Sequence, residues 1–257
     1  MALADKLKKV AGLELFGVAD AASYGEKAPP GHRPLDFLRD ARSIVVMGTR
    51  LLDSPLDGIP ETRKEYTANF HTANTRLNDR LFEAAGYLQA EGHKVFPVPY
   101  LEMPGWNLEK RPAIMLKTLR HLIAMPRVHD LVNNALWENL SFRHMAAEAG
   151  LGELGVNNLL LTPEHGPRVR FVALITDAEL PAGKPLEPAL CQPERCGHAC
   201  VRACPVGALS EDGSGTDKAA CLRYYIKLGL PGMSGVRCGL CVARCPVHRP
   251  RFRAGEE

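Results

Sequence analysis

All eight cysteines of this 257-residue chain fall between Cys191 and Cys245, and nothing upstream of Cys191 carries one. That crowding divides the chain into a cysteine-free body and a cysteine-dense C-terminal module. In a reducing compartment, thiols this dense point to metal ligation rather than to disulfides. They form two groups. The first is CQPERCGHACVRACP, with Cys191, Cys196, Cys200 and Cys204. The second is Cys221 followed by CGLCVARCP, with Cys238, Cys241 and Cys245.

The pieces CVRACPV and CVARCPV are near copies, so the module is an internal pseudo-repeat. Each copy ends in C-x-x-x-C-P, the mark of a ferredoxin-like module with two [4Fe–4S] clusters, in which that last cysteine ligates the other cluster. The crossing rule assigns Cys191, Cys196, Cys200 and Cys245 to one cluster, and Cys204, Cys221, Cys238 and Cys241 to the second. The first group has gaps of four and three residues where the usual spacing is two and two, and Cys221 lies far ahead of Cys238. The alternative is a pair of four-cysteine zinc sites. Paired C-x-x-C knuckles would then be expected, and only Cys238/Cys241 has that spacing.

The body has the composition of a globular domain: 46% of the whole chain is hydrophobic, enough for a core. The 32 basic and 29 acidic residues leave a net charge of +3, too weak to make nucleic acid a main partner. The N-terminal stretch reads as a short amphipathic helix rather than a secretory signal, and no apolar run approaches the roughly 20 residues of a membrane span. The expectation is a soluble cytoplasmic protein with no membrane partner. RSIVVMGT (Arg42 to Thr49) and HKVFPVPY read as strands. Between them Tyr66, Phe70, Ala73, Leu77, Leu81, Ala84 and Leu88 recur at helical spacing. They predict a long helix from about Glu61 to Glu91, closed by Gly92. Further helices are expected over Glu109–Ala124, stopped by Pro126, and over Phe142–Ala149. NNLLLT and VRFVALITD read as a hairpin joined through PEHGPR.

Between that last helix and the hairpin lies AGLGELGVNN, where Gly150, Gly152 and Gly155 spell G-x-G-x-x-G. A dinucleotide-binding turn needs a strand before the glycines and a helix after them, because the pyrophosphate sits on the helix N-terminus. Here the predicted order is inverted, which argues against NAD and for a tight turn between helix and strand.

Taken together, ARSIVVMG, AAEAGLGELGVNNLLLTPEHGPRVRFVALITDAEL, CVRACPVGAL, CLRYYIK and CGLCVARCP resemble the epoxyqueuosine reductase and reductive dehalogenase superfamily. The resemblance covers roughly residues 30 to 248. It implies an α/β (α+β) fold, with a nitroreductase-like cobalamin-binding body over residues 1–185 and the two-cluster module over 186–257. It also implies that the glycine loop contributes to a corrin pocket, which makes Arg143, Gly150, Leu151, Gly152, Gly155, Asn157, Asn158 and Arg168 candidate cobalamin contacts. Epoxyqueuosine reductases carry an aspartate proton donor shortly before the glycine loop. The corresponding NNALWENLSFRHMAAEAGLG has none, which leaves Glu138 and His144 as catalytic candidates. The function implied is a cobalamin-dependent reductase fed by two clusters from an external low-potential electron donor and acting on a small-molecule substrate. The alternative is a non-catalytic electron carrier or corrinoid reductase serving a redox partner protein. A third reading has the body binding a flavin or no cofactor at all.

Overall fold

The computed structural model describes residues 2–100, 112–135, 140–187, 190–229 and 237–253. The body begins with α1 (Leu3–Ala11), β1 (Leu15–Asp20) and α2 (Ala21–Lys27), the last capped by Asp20, whose carboxylate accepts the Ser23 N–H. Next come α3 (Pro34–Phe37), β2 (Ser43–Arg50), α4 (Asp53–Asp57), the long α5 (Arg63–Ala90) and β3 (Val95–Val98). Helices α6 (Ala113–Ala124), α7 (Pro126–Ala135) and α8 (Phe142–Glu148) precede β4 (Glu153–Leu154), β5 (Leu160–Leu161) and β6 (Val169–Thr176). The module holds α9 (Pro193–Cys196), α10 (Ala199–Arg202), α11 (Lys218–Leu228), α12 (Leu240–Arg244) and α13 (Pro250–Arg253).

Four strands form one sheet in the order β1-β2-β6-β3, and every pairing is antiparallel. The two most β-branched runs, β2 and β6, take the middle because their residues are apolar on both faces. Alternation then sorts them. Ile44, Val46, Phe171, Ala173 and Ile175 face Tyr24 of α2 and Met145 and Ala146 of α8. Val45, Met47, Val172 and Leu174 face Leu7 of α1 and Leu77, Leu81 and Leu88 of α5. Each such buried leucine contributes on the order of 1.5–3 kcal/mol. The result is a mixed α/β fold with helices on both faces of an antiparallel sheet.

Helix α5 is long enough to serve two regions. Its C-terminal part packs on the sheet, while Tyr66, Phe70 and Ala73 near its start share an apolar cluster with Val242 and Ala243 of α12. Leu116 and Ile123 of α6 likewise cluster with Ala219 and Ile226 of α11. Body and module are therefore joined through common apolar packing. Among the described residues no helix is long and apolar enough to cross a membrane.

Several local expectations change. LFGVAD forms an edge strand, β1, where the sequence suggested helix alone. Pro126 ends α6 but also opens α7, since the first helical position needs no N–H from its residue. The expected hairpin does not form. β5 turns back to pair with β4, and β6 enters the large sheet between β2 and β3, which buries both of its apolar faces. Only a bridge between Thr162 and Gly166 closes the intervening turn.

Arg168, a candidate cofactor contact by sequence, forms a structural clamp. It is 1% exposed, and its guanidinium donates to Asp53 Oδ1 at 2.7 Å and to Asp57 Oδ1 at 2.6 Å, tying α4 to the start of β6. The hydrogen bond from Arg168 holds the Asp57 carboxyl below the usual range. A depressed carboxyl pKa stabilises the fold above the unfolded value of about 3.9, and that stability is lost as pH falls through the folded value. Asp57 is more than half exposed, so Asp57→Asn is expected to cost about 1 kcal/mol or less at pH 7. Its melting temperature should converge on that of the parent below pH ~4. A deficit that stays constant down to pH ~2 would contradict this account of the clamp.

Candidate functional site

Short helices position the cysteines. The near-copies CVRACP and CVARCP become α10 and α12, which pack against each other, and each stops just short of a C-P cysteine because proline cannot continue a helix. Gly197 and His198 both take left-handed backbone between α9 and α10, which turns Cys196 toward Cys200. Gly239 does the same before α12, and a side chain there would lie 2.5 Å from the Tyr66 ring. The turn carrying Cys238 and Cys241 is thus seated directly on α5.

Cys191, Cys196, Cys200 and Cys245 line one small cavity, walled by Val156, Asn157, Leu161 and Val247. The last cysteine of the second repeat therefore stands with three from the first. Burial pushes the Cys245 thiol up to about 12, and Cys200, Cys191 and Cys196 add to the effect. The other four also meet. Burial raises Cys241 to about 12 with Cys238, Cys221, Cys200 and Cys204 among its charge neighbours, and raises Cys221 to about 11 with Cys238 and Cys204 beside it. Cys191, Cys200 and Cys238 are raised by burial as well.

Thiolates so crowded are unfavourable unless a cation shares the site, and a bound metal reverses that balance. Soft sulfur donors in sets of four suit iron–sulfur clusters or zinc. Among the described residues, no three His, Cys, Asp or Glu side chains converge as ligands of a single ion would.

The glycine loop forms part of the wall of that cavity. Helix α8 precedes it and β4 follows, so no helix N-terminus is presented to a dinucleotide. A Cβ at Gly152 would lie 2.2 Å from the Leu161 carbonyl oxygen of β5. Gly150 backs onto Lys184 and Gly155 onto Asn157 and Leu161. At all three glycines, the side on which a side chain would project is filled by the chain itself. Asn157 is buried, its Oδ1 accepts the Leu159 N–H, and it lines the first thiol cavity. Asn158 takes left-handed backbone, donates from Nδ2 to Thr216 Oγ1 at 3.1 Å, and accepts from Arg143 Nη1 at its carbonyl. Leu151 packs on the α8 side of the sheet core. These residues, expected around a corrin, are engaged within the chain.

Glu153, in the middle of GLGELG, is a residue that the sequence pattern does not single out. It is buried, and its carboxylate accepts the Cys191 N–H, joining the loop to the first cysteine. A charged residue between glycines is the available signal, but burial is not readable there. His144 lies exposed on α8 with Nδ1 2.8 Å from Ser141 Oγ; desolvation and then the Arg143 charge push its pKa below 6.5. Glu138 lies outside the described residues. Asn74 on α5 is 2% exposed and accepts from Arg170 Nε.

No protein-family model matches the chain. It is 34% identical over 154 residues to an epoxyqueuosine reductase of Bacillus cereus, a match covering 56% of this chain and 37% of that protein. It is 31% identical over 132 residues to a tetrachloroethene reductive dehalogenase of Sulfurospirillum multivorans, covering 45% and 25% respectively. The chain thus spans well under half the length of these relatives. In fold it matches a reductive dehalogenase structure described in terms of B12-dependent dehalogenation, with a TM-score of 0.58 at 19% identity over 96% of this chain and 32% of that one.

Because a Cβ at Gly152 would overlap the β5 backbone, Gly152→Val is expected to lose about 1–3 kcal/mol of stability, seen as a lower melting temperature. A variant that melts with the parent would show that the loop is not packed as described.

Proposed function

We propose that this chain, which belongs to the superfamily of epoxyqueuosine reductases and reductive dehalogenases, is an iron–sulfur reductase that relays electrons through two [4Fe–4S] clusters. One observation carries this reading: Cys245 of the second repeat lines the same cavity as Cys191, Cys196 and Cys200 of the first. Crossing of that kind characterises paired clusters. Cys191, Cys196, Cys200 and Cys245 would hold one cluster, and Cys204, Cys221, Cys238 and Cys241 the other.

Within the superfamily the electrons would serve a corrin, whose reduced cobalt supplies the reducing power toward a small substrate. Membership in the superfamily supports cobalamin; the glycine-loop residues that the resemblance places around it also pack within the chain. The chain's own residues shape the first thiol site. Val156, Asn157, Leu161 and Val247 line it and limit its contact with water, and Glu153 fixes the Cys191 backbone. His144, with its pKa below 6.5, is mostly neutral at pH 7, which suits it to accept a proton rather than give one. The internal engagement of the glycine loop favours a second reading, an electron carrier that hands its electron to a partner protein.

Anaerobic reconstitution is expected to yield roughly eight irons and eight labile sulfides per chain. Cys245→Ala should keep about half, losing the cluster of the first set. Stoichiometric zinc without sulfide would reject the two-cluster reading. Cobalamin added to the reconstituted protein separates the two functions: a bound corrin spectrum supports the reductase, and no binding supports the carrier.

A further inference from the structure

The two thiol sets stand in different electrostatic surroundings. The Cys238–Cys241 turn is seated on the first turns of α5 through the contact of Gly239 with Tyr66. Arg63 opens α5 and is 8% exposed; its carbonyl accepts the Thr67 hydroxyl, and Thr67 Oγ1 accepts the Arg237 N–H at 3.2 Å. Arg237 directly precedes Cys238. Its guanidinium lies 4.0 Å from the Phe70 ring centroid and 5.1 Å from that of Tyr225, and donates to Tyr100 Oη at 2.9 Å.

Among the described residues neither arginine pairs with a carboxylate, and the Nε of each is buried without a hydrogen-bond partner. A buried guanidinium is costly unless negative charge lies close by. Arg63 lies one helical turn before Tyr66, on which the Gly239 turn rests, and Arg237 is held to the same turn of α5 through Thr67. One carboxylate, Asp217, acts on Cys221, but its Oδ1 also serves the Ala220 N–H and His129 as the N-cap of α11. The first set has the opposite neighbour. Glu153 is buried and its carboxylate accepts the Cys191 N–H, which places a negative charge beside that set. Backbone N–H groups donate to sulfur in both sets, from Val156 to Cys191 and from Ala208 to Cys204, so they do not separate the two.

A cluster on four thiolates is anionic and gains one further negative charge on reduction, so nearby cations favour its reduced form and nearby carboxylates oppose it. We propose that Arg63 and Arg237 hold the potential of a cluster on Cys204, Cys221, Cys238 and Cys241 above that of a cluster on Cys191, Cys196, Cys200 and Cys245. A single electron supplied by an external low-potential carrier then leaves the first cluster, reduces the second and rests there; no bond or proton changes place. This inference rests on the two-cluster reading.

The test is an EPR-monitored redox titration of the reconstituted full chain, preceded by iron and sulfide analysis. Absence of clusters at that first step would overturn the two-cluster reading itself. With both clusters present, two separate reduction waves are expected. Arg63→Gln should lower only the upper wave, by about tenfold in the oxidised-to-reduced ratio, or about 59 mV for one electron. Arg237→Gln should shift the same wave in the same direction, and Arg63→Lys, which keeps the charge, should restore most of the parental value. Glu153→Gln should raise only the lower wave. Coincident waves in the parent, or an unmoved upper wave in arginine variants that retain both clusters, would overturn the proposal.

Discussion

The gathering of eight thiols into two groups is the constraint on which the rest of the structure depends. Burial and mutual repulsion raise Cys221, Cys241 and Cys245 far above an ordinary thiol, so thiolates become acceptable there only when metal charge is present. The helices carrying the repeats are four and five residues long, too short to be stable alone. They hold their cysteines in place because the body supports them. Tyr66 lies against Gly239, Val242 and Ala243 join the α5 cluster, and the glycine loop closes over Cys191.

The body can be understood from that requirement. Its antiparallel sheet is a rigid floor, and α5 is the beam that links sheet and module: Leu77, Leu81 and Leu88 grip the strands, while the opposite end of the same helix receives the Cys238–Cys241 turn. The loop between α8 and β4 closes the other side. Its glycines let the β4–β5 ribbon fold tightly enough for Glu153 and Asn157 to reach the first thiol cavity. A motif spelled like a nucleotide-binding turn performs a packing task in this chain, because what surrounds a glycine, and not its spacing, decides what approaches it.

Strong periodic signals were legible in the sequence. The spacing of apolar residues set α5 almost to its ends, the β-branched runs became β2 and β6, and the near-copies before each C-P became the paired helices α10 and α12. Features that depend on tertiary partners were not legible. LFGVAD is short and became an edge strand only because β2 offered it a hydrogen-bonding edge. Whether NNLLLT would pair forward or backward depended on competition among strands, and β2 and β3 captured β6. Arg168 and Glu153 are charges whose burial is set by Asp53, Asp57 and Cys191, each remote in sequence from its partner.

The central claim is that the two repeats exchange ligands to build two centres. The most direct measurement is an iron anomalous difference map from crystals of the anaerobically prepared protein. The account predicts two separate groups of iron peaks, one bounded by Cys191, Cys196, Cys200 and Cys245 and the other by Cys204, Cys221, Cys238 and Cys241. Iron bound by Cys191, Cys196, Cys200 and Cys204 together, with Cys245 in the second group, would contradict it.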